Sequence, residues 1–248
     1  MPDRAVDAPP SALRQARLAL IVPLALERHC LTITPEPTSD TALEVLQCGQ
    51  GELGARRAAL SAVTQGASAL LSVGIAGALD ARLAAGDAVV PASVVAAGTG
   101  RRIKCSQDWS RSLRARIEGQ CRVSDGALLS VPDVLTSAAS KSAAARQYDA
   151  VACDMESAAI AAVAQDAGVP FAALRVISDE SADELPDDVA QWIDESGNAR
   201  LRPVLATLLS PGRWRLLMTM NGRFRVARRS LRRLSRSLTA AAYCCPRR

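Results

Sequence analysis

The chain has 248 residues, of which 49% are apolar, 22% charged and 3% aromatic. A chain of this length and composition can bury a core of its own, which excludes a disordered protein, and the lack of an 18-residue apolar run excludes a single membrane-spanning helix. The net charge of +5 is unevenly distributed, because residues 212–248 carry eleven arginines and no Asp or Glu, while the other 19 basic residues are outnumbered by 25 acidic ones.

Apolar or β-branched runs alternate with helical patterns along residues 18–211. Such runs are typical of strands that are buried on both faces of a sheet. They comprise Leu18–Val22, Leu43–Leu46, Ala69–Val73, Ala88–Ala97, Arg122–Leu129, Ala150–Cys153 and Phe171–Ile177. The helical patterns cover Leu53–Gln65, Ser157–Ala167, a segment from about Asp187 and Arg200–Leu209. The alternation predicts an α/β three-layer sandwich over residues 18–211, between a loose leader at 1–17 and a separate tail at 212–248.

Two glycine-containing segments follow predicted strands. Gly74-Ile75-Ala76-Gly77 is predicted to be a strand-to-loop turn, in which small residues serve either the turn itself or the close approach of a ligand. Cys48-Gly49-Gln50-Gly51 precedes a helix and offers backbone amides to an anion or a ribose, with Arg56 and Arg57 one turn further on. An ordinary strand–helix turn with two solvated arginines explains this second segment equally well. The segment Gly74–Gly77 has the spacing of neither a dinucleotide fingerprint nor a P-loop.

Charged residues also stand at the ends of two predicted core strands. Asp154 can cap the helix that follows it, whereas Glu156 needs another reason to lie beside a core, and binding of ribose hydroxyls is one. Arg175 lies inside a predicted strand and Asp179 at its end. A buried arginine–carboxylate pair explains them structurally. A functional explanation makes Asp179 a general acid in an apolar pocket.

These segments carry a family resemblance. The blocks VACDMESAAI at Val151–Ile160, VPF at Val169–Phe171 and RVISD at Arg175–Asp179, with VGIAGAL at Val73–Leu79 and GDAVV at Gly86–Val90, resemble the purine nucleoside phosphorylase and methylthioadenosine/adenosylhomocysteine nucleosidase superfamily. Within it the chain looks most like the hopanoid-associated phosphorylases, which act on adenosylhopane. The resemblance implies a mixed twisted sheet and an enzyme that cleaves the N-glycosidic bond of an adenine nucleoside.

At the purine, the resemblance implies that Asp179 protonates N7 of the leaving base and that Ser178 orients Asp179. It also implies that backbone groups near Leu128 and Leu129 hydrogen-bond the base. An acid is needed because the purine is a poor leaving group, and general acid catalysis contributes about 10²–10⁴-fold.

At the sugar, the resemblance assigns the ribose hydroxyls to Glu156, packing against the ribose to Met155 and organisation of the acidic site to Arg175. The segment Gly74–Gly77 lines the substrate pocket. Glu27 falls where the nucleosidases keep the carboxylate that activates water. Carboxylates suit this end of the substrate because positive charge develops on the sugar in the transition state.

One departure concerns the nucleophile. The superfamily usually has Ser or Thr where this chain has Ile75, so the expected anion pocket lacks a hydroxyl, and Glu27 nearby would repel phosphate. The family resemblance nevertheless favours phosphorolysis, with phosphate as co-substrate, over hydrolysis. The alternatives are a methylthioadenosine-type nucleosidase and a membrane-associated protein that binds a nucleoside without turnover.

The seven cysteines and the single histidine, His29, bear on cofactors and compartment. The cysteines are odd in number and have no Cys-x-x-Cys spacing, which predicts free thiols in the cytoplasm and no metal or other cofactor. A homo-oligomer is also expected.

The basic tail has helical periodicity. Its apolar positions fall on one narrow stripe, and arginines occupy the other side. The stripe comprises Phe224, Ala227, Leu231, Leu234 and Leu238. This pattern favours a helix at residues 213–238 that lies on an anionic membrane surface at the inner face of the cytoplasmic membrane. A solvated surface helix and a helix that docks on a partner protein stay open, and the scarcity of aromatic residues argues against nucleic acid.

Overall fold

A computed structural model describes residues 16–31, 41–186, 189, 194, 197–198 and 214–237. The strands are β1 (Ala16–Val22), β2 (Thr41–Gln47), β3 (Ala69–Ala78), β4 (Ala88–Val89), β5 (Ser93–Ala96), β6 (Arg102–Lys104), β7 (Val123–Ser124), β8 (Ala127–Ser130), β9 (Ala150–Asp154) and β10 (Phe171–Asp179). The helices are α1 (Ala25–Arg28), α2 (Glu52–Thr64), α3 (Gln107–Ile117), α4 (Ala138–Tyr148), α5 (Ser157–Asp166) and α6 (Trp214–Ser237). Most of the predicted leader and the two helices predicted from Asp187 to Leu209 lie outside the described residues.

All ten strands belong to one mixed sheet. Its main path runs β6-β5-β8-β9-β3-β10-β4-β7, and β1 pairs with both β3 and β2. The pairs β1/β2, β1/β3, β3/β10, β4/β7, β5/β8 and β8/β9 are parallel, whereas β3/β9, β4/β10 and β5/β6 are antiparallel. The long strand β3 pairs with β1 through its amino half, with β9 through its carboxyl end and with β10 along most of its length. The predicted mixed sheet is confirmed.

Alternate residues of the central strands face opposite helical layers, as the period of a strand requires. In β1, Ala19 and Ile21 join a core with residues of α2 and α5, whereas Leu18 and Leu20 join a core with residues of α3 and α6. Both faces of the sheet are therefore covered, which explains the uninterrupted apolar sequence. The predicted three-layer sandwich is confirmed.

Two predicted strands are divided in the structure, and a third continues through a predicted turn. Ala88–Ala97 is divided into β4 and β5, with Pro91 between them, and Pro cannot donate a hydrogen bond to a ladder. Arg122–Leu129 is divided into β7 and β8, separated by Asp125-Gly126. The predicted turn at Gly74–Gly77 is wrong, because β3 continues through these residues to Ala78.

Helix α6 packs against the sheet. Ala227, Leu231 and Leu234 of the predicted apolar stripe are fully buried and share a core with Trp109 and Leu113 of α3. The orientation predicted for this stripe, towards a membrane, is therefore wrong. Periodicity alone cannot distinguish a bilayer from a sheet as the apolar partner. Five arginines of the opposite side are exposed, namely Arg225, Arg229, Arg232, Arg233 and Arg236.

Hydroxyl groups fix α6 at two further points. Ser230 Oγ donates to the Gly86 carbonyl at 2.6 Å, and Ser235 Oγ donates to the Cys30 carbonyl at 3.0 Å. Because both serines are buried, these bonds satisfy polar groups that would otherwise be costly inside the protein. Among the described helices, none is both long and apolar enough to cross a bilayer.

Candidate active site

Glu27 is buried at the carboxyl end of β1, on the short helix α1. Its Oε2 accepts the backbone N–H of Leu24 at 2.7 Å, and its Oε1 accepts the backbone N–H of Ile75 on β3 at 2.8 Å. The side chain is thus fixed between two elements, with its carboxyl group against the strand segment Gly74–Gly77. The predicted site residues Glu27 and Ile75 are brought into direct contact.

Arg175 lies in the middle of β10 with a fully buried side chain. Its Nε donates to Asp154 Oδ2 at 2.9 Å, and its Nη2 donates to Ser72 Oγ at 2.8 Å and Ser157 Oγ at 3.1 Å. Asp154 also accepts the N–H of Ser157, the first residue of α5, at 3.2 Å, although the N-cap residue of this helix is Glu156. Arg175 thus belongs to a buried arginine–carboxylate pair, but its partner is Asp154 and not Asp179.

Glu156 lies beside this pair and reaches the start of helix α2. Its Oε1 accepts the backbone N–H of Gly51 at 2.8 Å, and its Oε2 lies 4.0 Å from Arg175 Nη2. The backbone amide of Gly51, which the sequence offered to an anion, is therefore bound to a carboxylate of the protein itself. Arg56 and Arg57 are exposed on α2, as expected of solvated arginines.

We call Arg175, Asp154, Glu156 and Glu27 the Arg175 cluster. It holds three carboxyl groups around one guanidinium. Burial raises the pKa of Glu27 to about 7, although Arg175 lowers it, and burial together with Asp154 raises the pKa of Glu156 to about 8. Burial alone would lower the pKa of Arg175, but attraction to the carboxylates raises it. Two of the carboxyl groups therefore exchange protons near neutral pH.

Asp179 ends strand β10 and belongs to a second group of charges. Its Oδ1 accepts a hydrogen bond from Ser178 Oγ at 2.9 Å, and its Oδ2 accepts one from Lys141 Nζ at 2.5 Å. The predicted pair Ser178 and Asp179 is thus brought together. Lys141, on α4, was missed by the sequence reasoning. The signal available was that it is one of only two lysines, with Lys104, among 30 basic residues.

Two glycines of β3 leave space for the Arg175 cluster and for Asp179. A Cβ atom at position 74 would lie 2.7 Å from Glu27 Oε1 and 2.9 Å from Arg175 Nη1, and one at position 77 would lie 2.9 Å from Asp179 Oδ2. Real Cβ atoms do not approach other atoms this closely. The two glycines are therefore explained by charged side chains packed on the strand, where the sequence suggested a turn.

The remaining predicted residues surround this edge of the sheet. Met155 is half-buried, and its Sδ lies 3.1 Å from Gln50 Nε2. Ala76 is buried in β3, and its carbonyl lies 3.3 Å from Ser178 Oγ. Leu128 and Leu129 are fully buried in β8, between β5 and β9. Their predicted contact with a base, like the other predicted roles towards substrate, stays a prediction.

The carboxyl groups do not form a metal site. Within the described part of the chain, no group of three or more His, Cys, Asp or Glu is arranged to hold a metal ion. At the Arg175 cluster, the guanidinium supplies the positive charge among the carboxylates. Its Nη1 is buried and has no hydrogen-bond partner among the described residues. A polar N–H thus remains available beside Glu27.

The fold is that of known nucleoside-cleaving enzymes. Futalosine hydrolase of Helicobacter pylori strain 26695 superposes with a TM-score of 0.67 at 16% identity, over 90% of this chain and 97% of that one. The 5'-methylthioadenosine/S-adenosylhomocysteine nucleosidase of Helicobacter pylori gives 0.64 at 17% identity, over 89% and 97%. The S-adenosylhomocysteine nucleosidase of Streptococcus pyogenes gives 0.60 at 20% identity, over 69% and 86%.

The sequence establishes the family. Residues 42–210, more than half of the chain, match the phosphorylase superfamily, and the chain belongs to that superfamily. No curated protein gives a significant match. The predicted class, an enzyme of the nucleoside phosphorylase and nucleosidase type that cleaves a glycosidic bond, is confirmed. The predicted association with hopanoids stays a prediction.

Proposed function

We propose that the protein hydrolyses the N-glycosidic bond of a purine nucleoside, most specifically an adenine nucleoside. The observation that carries the proposal is the position of Glu27, a buried carboxyl group with a pKa of about 7 held against the Ile75 amide. A carboxylate with this pKa can accept a proton from water at neutral pH. The unpartnered Nη1 of Arg175 beside it is suited to orient that water.

In this mechanism Asp179 delivers a proton to N7 of the purine as the bond between N9 and the anomeric carbon breaks. Water attacks the anomeric carbon, and Glu27 accepts the proton that the water loses. The products are the free purine and the free sugar. Glu156 would accept hydrogen bonds from the ribose hydroxyls. In the ionised form, which prevails above its pKa of about 8, it would also stabilise the positive charge that develops on the sugar.

The hydrogen-bond partners of two backbone amides favour hydrolysis over phosphorolysis. The Ile75 amide is bound to Glu27, and the Gly51 amide is bound to Glu156. Phosphate would have to displace a carboxylate from either amide and then lie beside the remaining ones. Arg56 and Arg57, the cations that the sequence offered to phosphate, are exposed on α2. Among the described residues, these contacts disfavour binding of the phosphate co-substrate that the family resemblance predicts.

A nucleophile assay tests the proposal. Adenine release from methylthioadenosine and from adenosylhopane is measured with and without phosphate, in water enriched in oxygen-18. We expect equal rates in both conditions and oxygen-18 at the anomeric carbon of the sugar. Phosphate-dependent release with a sugar 1-phosphate product would establish phosphorolysis instead. Binding of nucleoside without release of base from any substrate would indicate the non-catalytic alternative.

The same assay addresses the lipid-linked substrate. Preference for adenosylhopane over methylthioadenosine would support the role in hopanoid synthesis that the resemblance implies. With the stripe buried, the exposed arginines in the described part of α6 are the groups proposed to contact an anionic membrane, and that contact is electrostatic and weakened by salt. In its more specific form, the proposal is that the protein cleaves a lipid-linked nucleoside at a membrane surface and is located in the cytoplasm.

A further inference from the structure

Lys141 is a buried cation beside Asp179, the proposed proton donor. The residue is 1% exposed, and its ammonium group lies within hydrogen-bond distance of three oxygens. These are Asp179 Oδ2 at 2.5 Å, the Glu180 carbonyl at 2.9 Å and the Asp183 carbonyl at 3.3 Å. An ammonium group has three hydrogens, so all of its donors are used. Lys141 therefore binds both the carboxyl group of Asp179 and the backbone of the segment that follows.

We call Asp179–Asp183 the acid loop. A second cation, Arg223 of α6, holds the loop from the other side, with Nη2 2.9 Å from Glu180 Oε2 and Nη1 paired with the Asp183 carboxylate. Asp183 Oδ2 also accepts the backbone N–H of Glu180 at 2.7 Å. The loop thus carries three carboxyl groups and is bound by two cations, one from α4 and one from α6.

We infer that Lys141 and Arg223 are positioning residues for the catalytic acid, and that α6 thereby couples the basic C-terminal segment to the glycosidic cleavage site. The inference rests on the proposed role of Asp179. After Asp179 has passed its proton to N7, the carboxylate that remains is stabilised by the Lys141 ammonium. Arg223 keeps the loop backbone, and with it the direction of the Asp179 side chain, fixed against α6.

Both contacts matter because reaction geometry is demanding. A displacement of about 1 Å at a reacting group can lower a rate about 10²-fold. An uncompensated charge inside a protein is also costly, so loss of either cation would force the acid loop to move towards solvent. The expected consequence is specific to proton donation, since neither cation contacts the Arg175 cluster in the described structure.

Two substrates separate proton donation from general damage. One is an adenine nucleoside, whose base must be protonated to leave. The other is p-nitrophenyl riboside, whose phenolate leaves without a proton. Lys141→Met should lower kcat on the adenine nucleoside about 10²-fold, the lower range for a general acid, with a much smaller loss on p-nitrophenyl riboside. The ratio of the two rates is independent of the fraction of protein that folds.

Arg223 provides a second test at a partly exposed position. Arg223→Gln should lower kcat on the adenine nucleoside about 10-fold with little change in KM, and Arg223→Lys, which retains a cation, should recover most of the loss. Arg229→Gln is the matched control, because Arg229 is exposed on the same helix. Its kcat should equal that of the wild type.

The outcomes distinguish this inference from the proposed function. If wild-type protein releases adenine but Lys141→Met and Arg223→Gln keep the wild-type kcat, the inference is overturned and the proposed function stands. Equal losses on both substrates would assign the two cations a structural role only, which also overturns it. If the wild type releases no adenine from any nucleoside, the proposed function itself fails.

Discussion

The Arg175 cluster and the acid loop contain the same kinds of residues but differ in the number of cations. In the cluster, three carboxyl groups share one guanidinium, whereas in the acid loop three carboxyl groups share the ammonium of Lys141 and the guanidinium of Arg223. The carboxyl groups of the cluster are also more deeply buried than the Asp179 side chain, which is 17% exposed. Burial is the main cause of the raised pKa values of Glu27 and Glu156 in the cluster.

This difference matches the two ends of a nucleoside. The sugar end needs a group that accepts a proton from water and negative charge near the developing cation, and the cluster has an excess of carboxylates there. The base end needs a group that donates a proton and is then stabilised as a carboxylate, and the acid loop has the cations for it. Under the proposed mechanism, two proton-transfer sites would lie at the same end of the sheet and differ in the number of cations that each contains.

The largest expected effects come from substitutions in the two sites, compared on two substrates with different leaving groups. Asp179→Asn should lower kcat on an adenine nucleoside about 10²–10⁴-fold while leaving p-nitrophenyl riboside cleavage nearly intact, whereas Glu27→Gln should lower both to a similar extent. The reason is that only purine departure needs an acid, but both substrates need an activated water. Steady-state kinetics on the two substrates make the measurement.

Asp166→Asn serves as the control for these variants, because Asp166 is an exposed carboxylate on α5, 3.8 Å from Arg101. It should retain wild-type kinetics on both substrates. If Asp179→Asn and Glu27→Gln lose activity in the same pattern, the assignment of acid and water activator to separate sites is wrong.

A smaller effect concerns the helix that holds the acid loop. Leu231→Ala should lower the free energy of unfolding by about 2–5 kcal/mol, because Leu231 is fully buried under the sheet. Removal of all residues after Pro211 should be more severe and expose the apolar surface that α6 covers. Urea denaturation followed by circular dichroism measures the change.

Arg229→Ala provides the comparison, since a surface change on the same helix should alter stability by no more than about 0.5 kcal/mol. The membrane-facing interpretation of the stripe would be restored by two results together: wild-type stability of Leu231→Ala, and binding to vesicles by the full-length protein that is lost when α6 is removed.

The smallest expected effect is on the pH dependence of stability. The pKa values of Glu27 and Glu156 rise from 4.5 to about 7 and about 8, so the folded protein binds protons that the unfolded chain releases. The stability from these protons is complete below pH 4.5 and is lost as pH rises through about 8. Glu156→Gln should flatten this decline, as urea denaturation at several pH values can show. The prediction is wrong if Glu156→Gln has the same slope of unfolding free energy against pH as the wild type, which is the result expected for Asp166→Asn.

Much of the fold could be read from the sequence, because burial on both faces leaves a strong signal. Strands Leu18–Val22 and Phe171–Ile177 and helices Leu53–Gln65 and Ser157–Ala167 were predicted close to their observed bounds. The helices α3 and α4 were not predicted. In α3 the buried stripe of Trp109, Leu113 and Ile117 has helical spacing and was overlooked among polar neighbours, whereas α4 consists mostly of Ala and Ser and has little apolar pattern.

The sequence by itself determined the chemical groups of the site, since Glu27, Glu156, Arg175 and Asp179 stand at strand ends or in a family motif. Only the tertiary structure decided their partners. Glu27 and Ile75 are 48 positions apart, and Lys141 and Asp179 are 38 apart. It also decided that the apolar stripe of α6 faces the sheet. Periodicity specifies that one side of a helix must be buried, whereas the identity of the covering surface depends on contacts between distant segments, which no local pattern contains.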